Sequence, residues 1–488
     1  MGISLPPIPW GAMLPMLLVA GTGLAVLILT PLTPPDRRER LAALSLIGIG
    51  AAAVALVVRR GQPEIVFGGM LAADDFALFF NLLFLLVAGL TVLISIPYVG
   101  RVGMEQGEYY ALLLFSSLGM MIMASSLDLM TIFLGLETLS ISLYILAGFL
   151  REQLKSNESA LKYLLLGAFA SGFVLYGIAL VYGATGSINL KRVAEALASG
   201  KVTSHTLLII GTGLLIIGFG FKVASVPFHM WTPDVYEGAP TSVTAFMIAG
   251  TKAAAFAAFL RILLTALPSL QADWSRVLWV LAVLTMTVGN VVAIAQSNIK
   301  RMLAYSSIAH AGYILMALPA ASVSGVAPGA LSAALFYLFA YLFSNLGAWA
   351  VVLAVEHAEN AGLQIDDYAG LARRRPGLAL AMAIFMLSLT GLPPTVGFIG
   401  KFFIFRAAID AGQIWLALVG VITSLISAYY YLRVVVVMYM RAGEPETRSE
   451  AWLNATIGLT AAATFVFGIL PGPILTLAEN SSILESIR

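Results

Sequence analysis

The chain has 488 residues, 60% of them hydrophobic and only 11% charged, with a mean hydropathy of +0.94. No soluble domain is this apolar, and a net charge of +2 offers no basic surface for nucleic acid. The lack of cysteine excludes iron–sulfur clusters and disulfides held by this chain, and four scattered histidines (His205, His229, His310, His357) form no grouping suited to haem or zinc.

Apolar runs of about 20 residues recur along the whole length, the pattern of an all-α polytopic membrane protein. The opening MGISLPPIPWGAMLPMLL has no positively charged lead and no cleavage site, so it reads as the approach to the first span. In chain order the predicted helices cover about 11–30, 41–58, 75–98, 108–126, 128–150, 159–183, 205–236, 240–265, 277–297, 301–320, 328–356, 377–411, 413–441 and 451–470, roughly fourteen spans. No strands to speak of are expected, and hence no nucleotide loop following one. With the N-terminus outside, the cytoplasmic loops hold about 13 Lys and Arg, including Arg37, Arg101, Arg151, Lys300 and Arg373, against about 7 on the other side. Both termini then lie outside.

Two connections, 187–200 and 363–376, read as short helices lying along the membrane interface. Each precedes a span that is broken by proline. In 205–236 the break falls at Pro227, five residues after Lys222; in 377–411 it falls at Pro393 and Pro394, shortly before Lys401. SLYILAG at 142–148 echoes GYILMAL at 312–318. The expected organisation is therefore a three-helix segment (1–107), a five-helix repeat (108–265), a second, inverted five-helix repeat (277–441), and a C-terminal helix and tail (442–488). Inverted repeats with discontinuous helices place ion sites near mid-membrane.

Glu137, Lys222, Lys252 and Lys401 fall too deep in their spans to reach water along the side chain. Four ionised groups there would cost roughly 10–14 kcal/mol, at about 2.5–3.5 each, unless paired, hydrated or neutralised. Burial favours the neutral lysine and a nearby carboxylate favours the charged one, so a Glu137–Lys222 pair that forms and parts is a proton switch, with Lys252 the natural acceptor. The alternative is a static structural pair. Lys162 is either a relay or a snorkelling residue, and His310 either a relay or a core histidine. His229 and Asp234 are expected to shape the end of the broken helix. Arg261, Arg406 and Arg433 are expected to be anchors or partners for headgroups and neighbours.

GFGFKVASVPFHMWTPDVYEGAP, GLETLSISLYILAGF, SNIKRMLAYSSIAHAGYIL and SLTGLPPTVGFIGKFF closely resemble the antiporter-like membrane subunits of respiratory NADH:quinone oxidoreductase (complex I). The likeness spans essentially the whole chain. It is closest to the type with no long lateral helix after the last span and with lysine, here Lys401, in the twelfth. The resemblance implies a fourteen-helix fold with one half-channel per repeat. Glu137, Lys222, Lys252 and Lys401 match the family's proton-translocation positions, and Lys162 and His310 match further polar positions on its hydrated axis. It implies a hetero-oligomer with other membrane-arm subunits in a bacterial inner membrane. It also implies that NADH, FMN, iron–sulfur clusters and quinone are handled by other subunits, with no cofactor in this chain. The alternatives are a subunit of a multi-subunit cation/proton antiporter, a plastoquinone-linked relative, or a passive spacer.

Overall fold

The computed structural model describes residues 9–34, 37–104, 106–357, 361–481 and 483; residues 1–8 of the expected lead-in lie outside them. The helices are α1 Trp10–Leu29, α2 Glu39–Val58, α3 Asp75–Arg101, α4 Gly107–Ser125, α5 Leu129–Ala147, α6 Leu154–Thr185, α7 Leu190–Ala198, α8 His205–Val223, α9 Trp231–Gly238, α10 Thr241–Phe246, α11 Lys252–Arg261, α12 Gln271–Ile294, α13 Ile299–Leu315, α14 Ala317–Ala321, α15 Ala327–Val355, α16 Leu371–Arg374, α17 Pro376–Thr390, α18 Val396–Asp410, α19 Ile414–Met440, α20 Ala451–Ile469 and α21 Gly472–Asn480. Thirteen segments of the described residues are long and apolar enough to cross a membrane. The expected fourteenth is the broken one, in which α17 and α18 are 15 residues each.

Glu64–Val66 (β1) pairs antiparallel with Leu71–Ala73 (β2), a small hairpin that leaves the fold all-α among the described residues. Its runs of three residues are too short to carry a readable alternation. The 363–376 connection is also less regular than foreseen: a 3₁₀ turn, Ile365–Tyr368, is separated from α16 by Gly370 in the left-handed region. The short α21 was not foreseen at all.

Short polar caps set the helix starts. Asp74, Asp128, Asn189, Ser204 and Asn298 each accept a backbone N–H from the first turn that follows. Two of these caps mark a pattern that occurs twice. Leu129 N–H donates to Ile188 O and Leu190 N–H to Leu127 O, tying the α4–α5 junction to the start of α7. Ile299 N–H donates to Leu363 O and Ile365 N–H to Ser297 O, tying the α12–α13 junction to the turn before α16. In the register that aligns Ser142 with Gly312, Leu129 falls on Ile299. Five spans separate the two junctions, so they lie on opposite faces of the bundle, as inversion requires.

The interior is built from three segments: Thr241–Ala266, Ile299–Ala321 and Ala327–Val355, of which 94–100% of the most apolar window is buried. Tails of lipid therefore meet the outer helices and not these. Polar groups on the three central helices must be satisfied inside the protein.

Candidate functional site

Every cation foreseen at membrane depth is buried, and each has protein partners. Lys222 sits in the last turn of α8. Its Nζ donates to Ser140 Oγ at 2.8 Å, and the rings of Tyr144, Tyr163 and Phe221 lie 5.6–5.8 Å from it. Ser140 and Tyr144 share a face of α5 with Glu137, three and seven residues on. Glu137 is half-buried, lies within electrostatic reach of Lys222, and has one oxygen, Oε1, buried with no hydrogen-bonding partner among the described residues. No Glu137–Lys222 ion pair within 4.0 Å occurs among the described residues. Ser140, not Glu137, holds the ammonium, which is the parted arrangement of the two groups.

Lys252 follows a wide π turn, Met247–Thr251, of a kind that tends to mark functional positions in helices. Its Nζ donates to Ser307 O at 2.6 Å and Ser307 Oγ at 2.9 Å, so it reaches from the first five-helix set to α13 of the second. Next to Ser307, Ser306 is in a short hydrogen bond with Tyr431. Tyr431 OH lies 3.0 Å from His310 Nε2, and Tyr337 OH 2.7 Å from His310 Nδ1. His310 is thus no isolated core histidine. It is within electrostatic reach of both Lys252 and Lys401.

Lys401 lies in α18 but binds back to α17. Its Nζ donates to the carbonyls of Leu389 (3.0 Å) and Thr390 (2.8 Å) and to Ser424 Oγ (2.7 Å), and it sits 4.8 Å from the Tyr313 ring centre. Leu389 and Thr390 are the last residues of α17, whose carbonyls have no donor further along the helix. A cation at this negative end of the helix is favourable. The Pro393–Pro394 break therefore creates the site that the lysine fills.

Lys162 lies apart from this line. It is 39% exposed and pairs with Glu158 (2.6 Å) and Asp234 (2.7 Å). Arg301 of α13 pairs with Asp234 (2.8 Å) and Glu237 (3.0 Å), and Lys155 with Glu237 (3.1 Å). Asp234 does more than end the broken helix: with Glu237 it fastens α9 to α6 on one side and to α13 on the other.

Arg261 is a partner to its neighbours and not a headgroup anchor. Fully buried, it forks onto both oxygens of Asp74 (2.6 and 2.8 Å) and donates to Ala124 O. Sequence reading missed this pair, although a cation within AAAFAAFLRILLTA was its signal. It also missed Ser140, Ser307, Tyr313, Tyr337, Ser424 and Tyr431. The signal for two of them was the three-residue helical spacing from Glu137 to Ser140 and from Ser307 to His310.

The family described as NADH:quinone oxidoreductase/Mrp antiporter, TM, matches residues 126–427. NADH-quinone oxidoreductase subunit N of Trichlorobacter lovleyi is 52% identical over 96% of both chains. The chain belongs to the NADH:quinone oxidoreductase/Mrp antiporter family, in its subunit N branch. A chain of respiratory complex I from Thermus thermophilus, solved with bound aureothin, is 38% identical, superposes with a TM-score of 0.81, and is matched over 95% of this chain and 99% of its own. A chain of the Mrp complex from Dietzia shares the fold, with 22% identity and a TM-score of 0.84 over 97% of each chain. The family match begins two residues before the Asp128 cap and ends at Ser427. It thus covers Glu137, Lys222, Lys252, His310 and Lys401. No group of three or more His, Cys, Asp or Glu placed to hold a metal occurs among the described residues.

Proposed function

We propose that this chain is a proton-translocating membrane-arm subunit of NADH:quinone oxidoreductase. It takes no part in electron transfer; quinone reduction in other subunits drives it. Glu137, Lys222, Lys252 and Lys401 carry the proton, and His310 relays it. Lys162 orders the mouth of the path through its bridge to Asp234. The chain lies in the bacterial inner membrane with both termini on the periplasmic side, bound to other membrane-arm subunits.

One observation carries this reading. Lys252 reaches across to Ser307 of α13, beside the Ser306–Tyr431–His310–Tyr337 hydrogen bonds, and His310 lies within electrostatic reach of both Lys252 and Lys401. Serine, tyrosine and histidine each donate and accept, so they can pass a proton on. Lysine suits the storage sites because its charge is lost or gained as its surroundings change. A static scaffold gains nothing from buried cations that cost about 2.5–3.5 kcal/mol each.

The test is Lys222→Ala in the assembled complex. NADH-driven proton pumping into membrane vesicles is expected to be lost while the complex still assembles. Unchanged pumping would refute the assignment. If NADH-oxidising subunits do not co-purify with the chain, an antiporter without a redox partner replaces it.

A further inference from the structure

One face of α15 carries buried polar atoms whose hydrogen-bonding capacity the described residues do not fill. Trp349 Nε1 and Glu356 Oε2 are buried without a hydrogen-bonding partner among the described residues, and Tyr341 Oη and the Asn345 amide, though near each other and Tyr341 near Ser307, make no well-aligned hydrogen bond there. The four residues are 0–6% exposed. They are spaced by four, four and seven, so they form a stripe along one side of the helix and its C-cap. At about 1.5 Å per residue the stripe is roughly 22 Å long. Elsewhere α15 is mostly Ala, Leu, Val and Phe, its Ser332, Tyr337 and Ser344 are hydrogen-bonded within the protein, and its most apolar window is wholly buried.

Both ends of the stripe lead somewhere. At the inner end the Tyr341 ring lies 4.9 Å from that of His310, beside the Lys252–Ser307 junction. At the outer end Glu356 lines a cavity of about 270 Å³. Tyr98 and Arg101 from the end of α3, Lys300 from the start of α13, His357 and Arg448 line the same cavity. Glu356 lies within electrostatic reach of Tyr98, Arg101, Lys300 and Tyr368. The cavity also gathers Leu150, Gln153 and Gly238, so connections after the third, fifth, seventh, ninth, eleventh and thirteenth spans meet there. All six belong to the face on which odd-numbered spans end.

The chemistry of an occupant follows. A carboxylate needs a donor, Trp349 needs an acceptor, and Asn345 needs both. Only water satisfies all of them in turn, and a buried polar group left unsatisfied costs about 1–3 kcal/mol. A lipid headgroup is excluded because its acyl chains would have to pass among the three interior segments.

Resting on the proton-translocation reading, we infer that the Tyr341–Asn345–Trp349–Glu356 face of α15 is a hydrated proton inlet to the second half of the molecule. Glu356 is its mouth, and the Lys252–Ser307–His310 junction is where it joins the buried line. The nearby charges of Arg101 and Lys300 offset the repulsion that a lone carboxylate at Glu356 would meet at the negative C-terminal end of α15. Arg101 caps that end as well, donating to Leu353 O at 3.0 Å.

Solvent reach is tested first, because it does not depend on pumping. The chain has no native cysteine, so a single cysteine is read cleanly by mass spectrometry of this subunit in the whole complex. Asn345→Cys should react with a small, water-soluble methanethiosulfonate about tenfold or more faster than Leu346→Cys, which is equally buried but off the stripe. Equal rates overturn the inlet. Pumping is tested second. Asn345→Leu should lower NADH-driven pumping severalfold, while Asn345→Ser, which leaves room and polarity for water, should restore it. Should Lys222→Ala abolish pumping while Asn345→Leu leaves it intact, the inlet is wrong and the translocation reading stands. Should Asn345→Cys label quickly while Lys222→Ala pumps normally, the channel exists and the translocation reading falls.

Discussion

Replacing Lys401 by methionine separates chemistry from architecture. Methionine fills nearly the same volume, so no cavity opens. The change removes three donated hydrogen bonds. Thr390 O keeps a partner in Ser424 Oγ at 3.2 Å, and Ser424 keeps Thr390. Leu389 O alone is orphaned, at a cost of about 1–3 kcal/mol. Against this, a buried charge worth roughly 2.5–3.5 kcal/mol disappears. The two effects nearly cancel, so the complex should assemble normally, with thermal stability within about 1–2 kcal/mol of the parent. Pumping has no such compensation: methionine binds no proton, and NADH-driven proton translocation should be largely lost. Lys401→Arg is the companion, keeping the cap and the charge but not the readiness to release it, and it should also assemble without pumping. The assay is proton uptake by vesicles alongside blue-native gels. Normal pumping in Lys401→Met would refute the reasoning. So would a failure to assemble, since the lysine would then be a structural cap and little more.

Two further outcomes follow from packing. Arg261→Met should destabilise the chain by about 3–5 kcal/mol, because it takes the guanidinium away from the buried Asp74 carboxylate; Arg261→Met with Asp74→Asn should recover much of that, read from SDS-titration unfolding in bicelles. Gly397 lies against the Ser388 carbonyl and hydroxyl where α18 begins, so Gly397→Ala should force the halves of the broken span apart at a cost of about 1–3 kcal/mol. Weaker pumping, together with a lower thermal midpoint of the purified complex, is the expected result there.

The sequence made the spans and the breaks legible because both are composition signals. Twenty apolar residues and a proline are visible without knowing what they touch. Lys222, Lys252 and Lys401 stood out by the same rule, as charges where none belong. What stayed hidden depends on contact. Ser140 and Ser307 look like any serine in a helix until a lysine on another helix lands on them. Arg261 showed itself as a misplaced cation, but its partner Asp74 lies far off in the chain, at a helix cap that would exist anyway. The hairpin was too short to show, and Gly370 split the second interfacial helix in a way that periodicity cannot register. The polar face of α15 was hidden for a different reason: tyrosine, asparagine and tryptophan in an apolar run are ordinary, and only their joint burial in one stripe, with bonding capacity left over, is not.

The two broken spans are related but are not copies, and the difference assigns them different work. In the first, α8 ends on Ala224 in the left-handed region, and Trp231 Nε1 caps it by donating to Phe221 O at 3.0 Å. Lys222 precedes the break and is free of capping, so it can give up its proton without undoing a helix end. In the second, α17 ends on Gly391, left-handed without strain, and its final carbonyls are capped by Lys401 from beyond the break. A proton leaving Lys401 therefore weakens the bonds that hold α18 to α17. Of the two joints, the second is the one where a change of charge can move helices. A structural response to protonation should accordingly appear at Leu389–Gly397 and not at Phe221–Pro227.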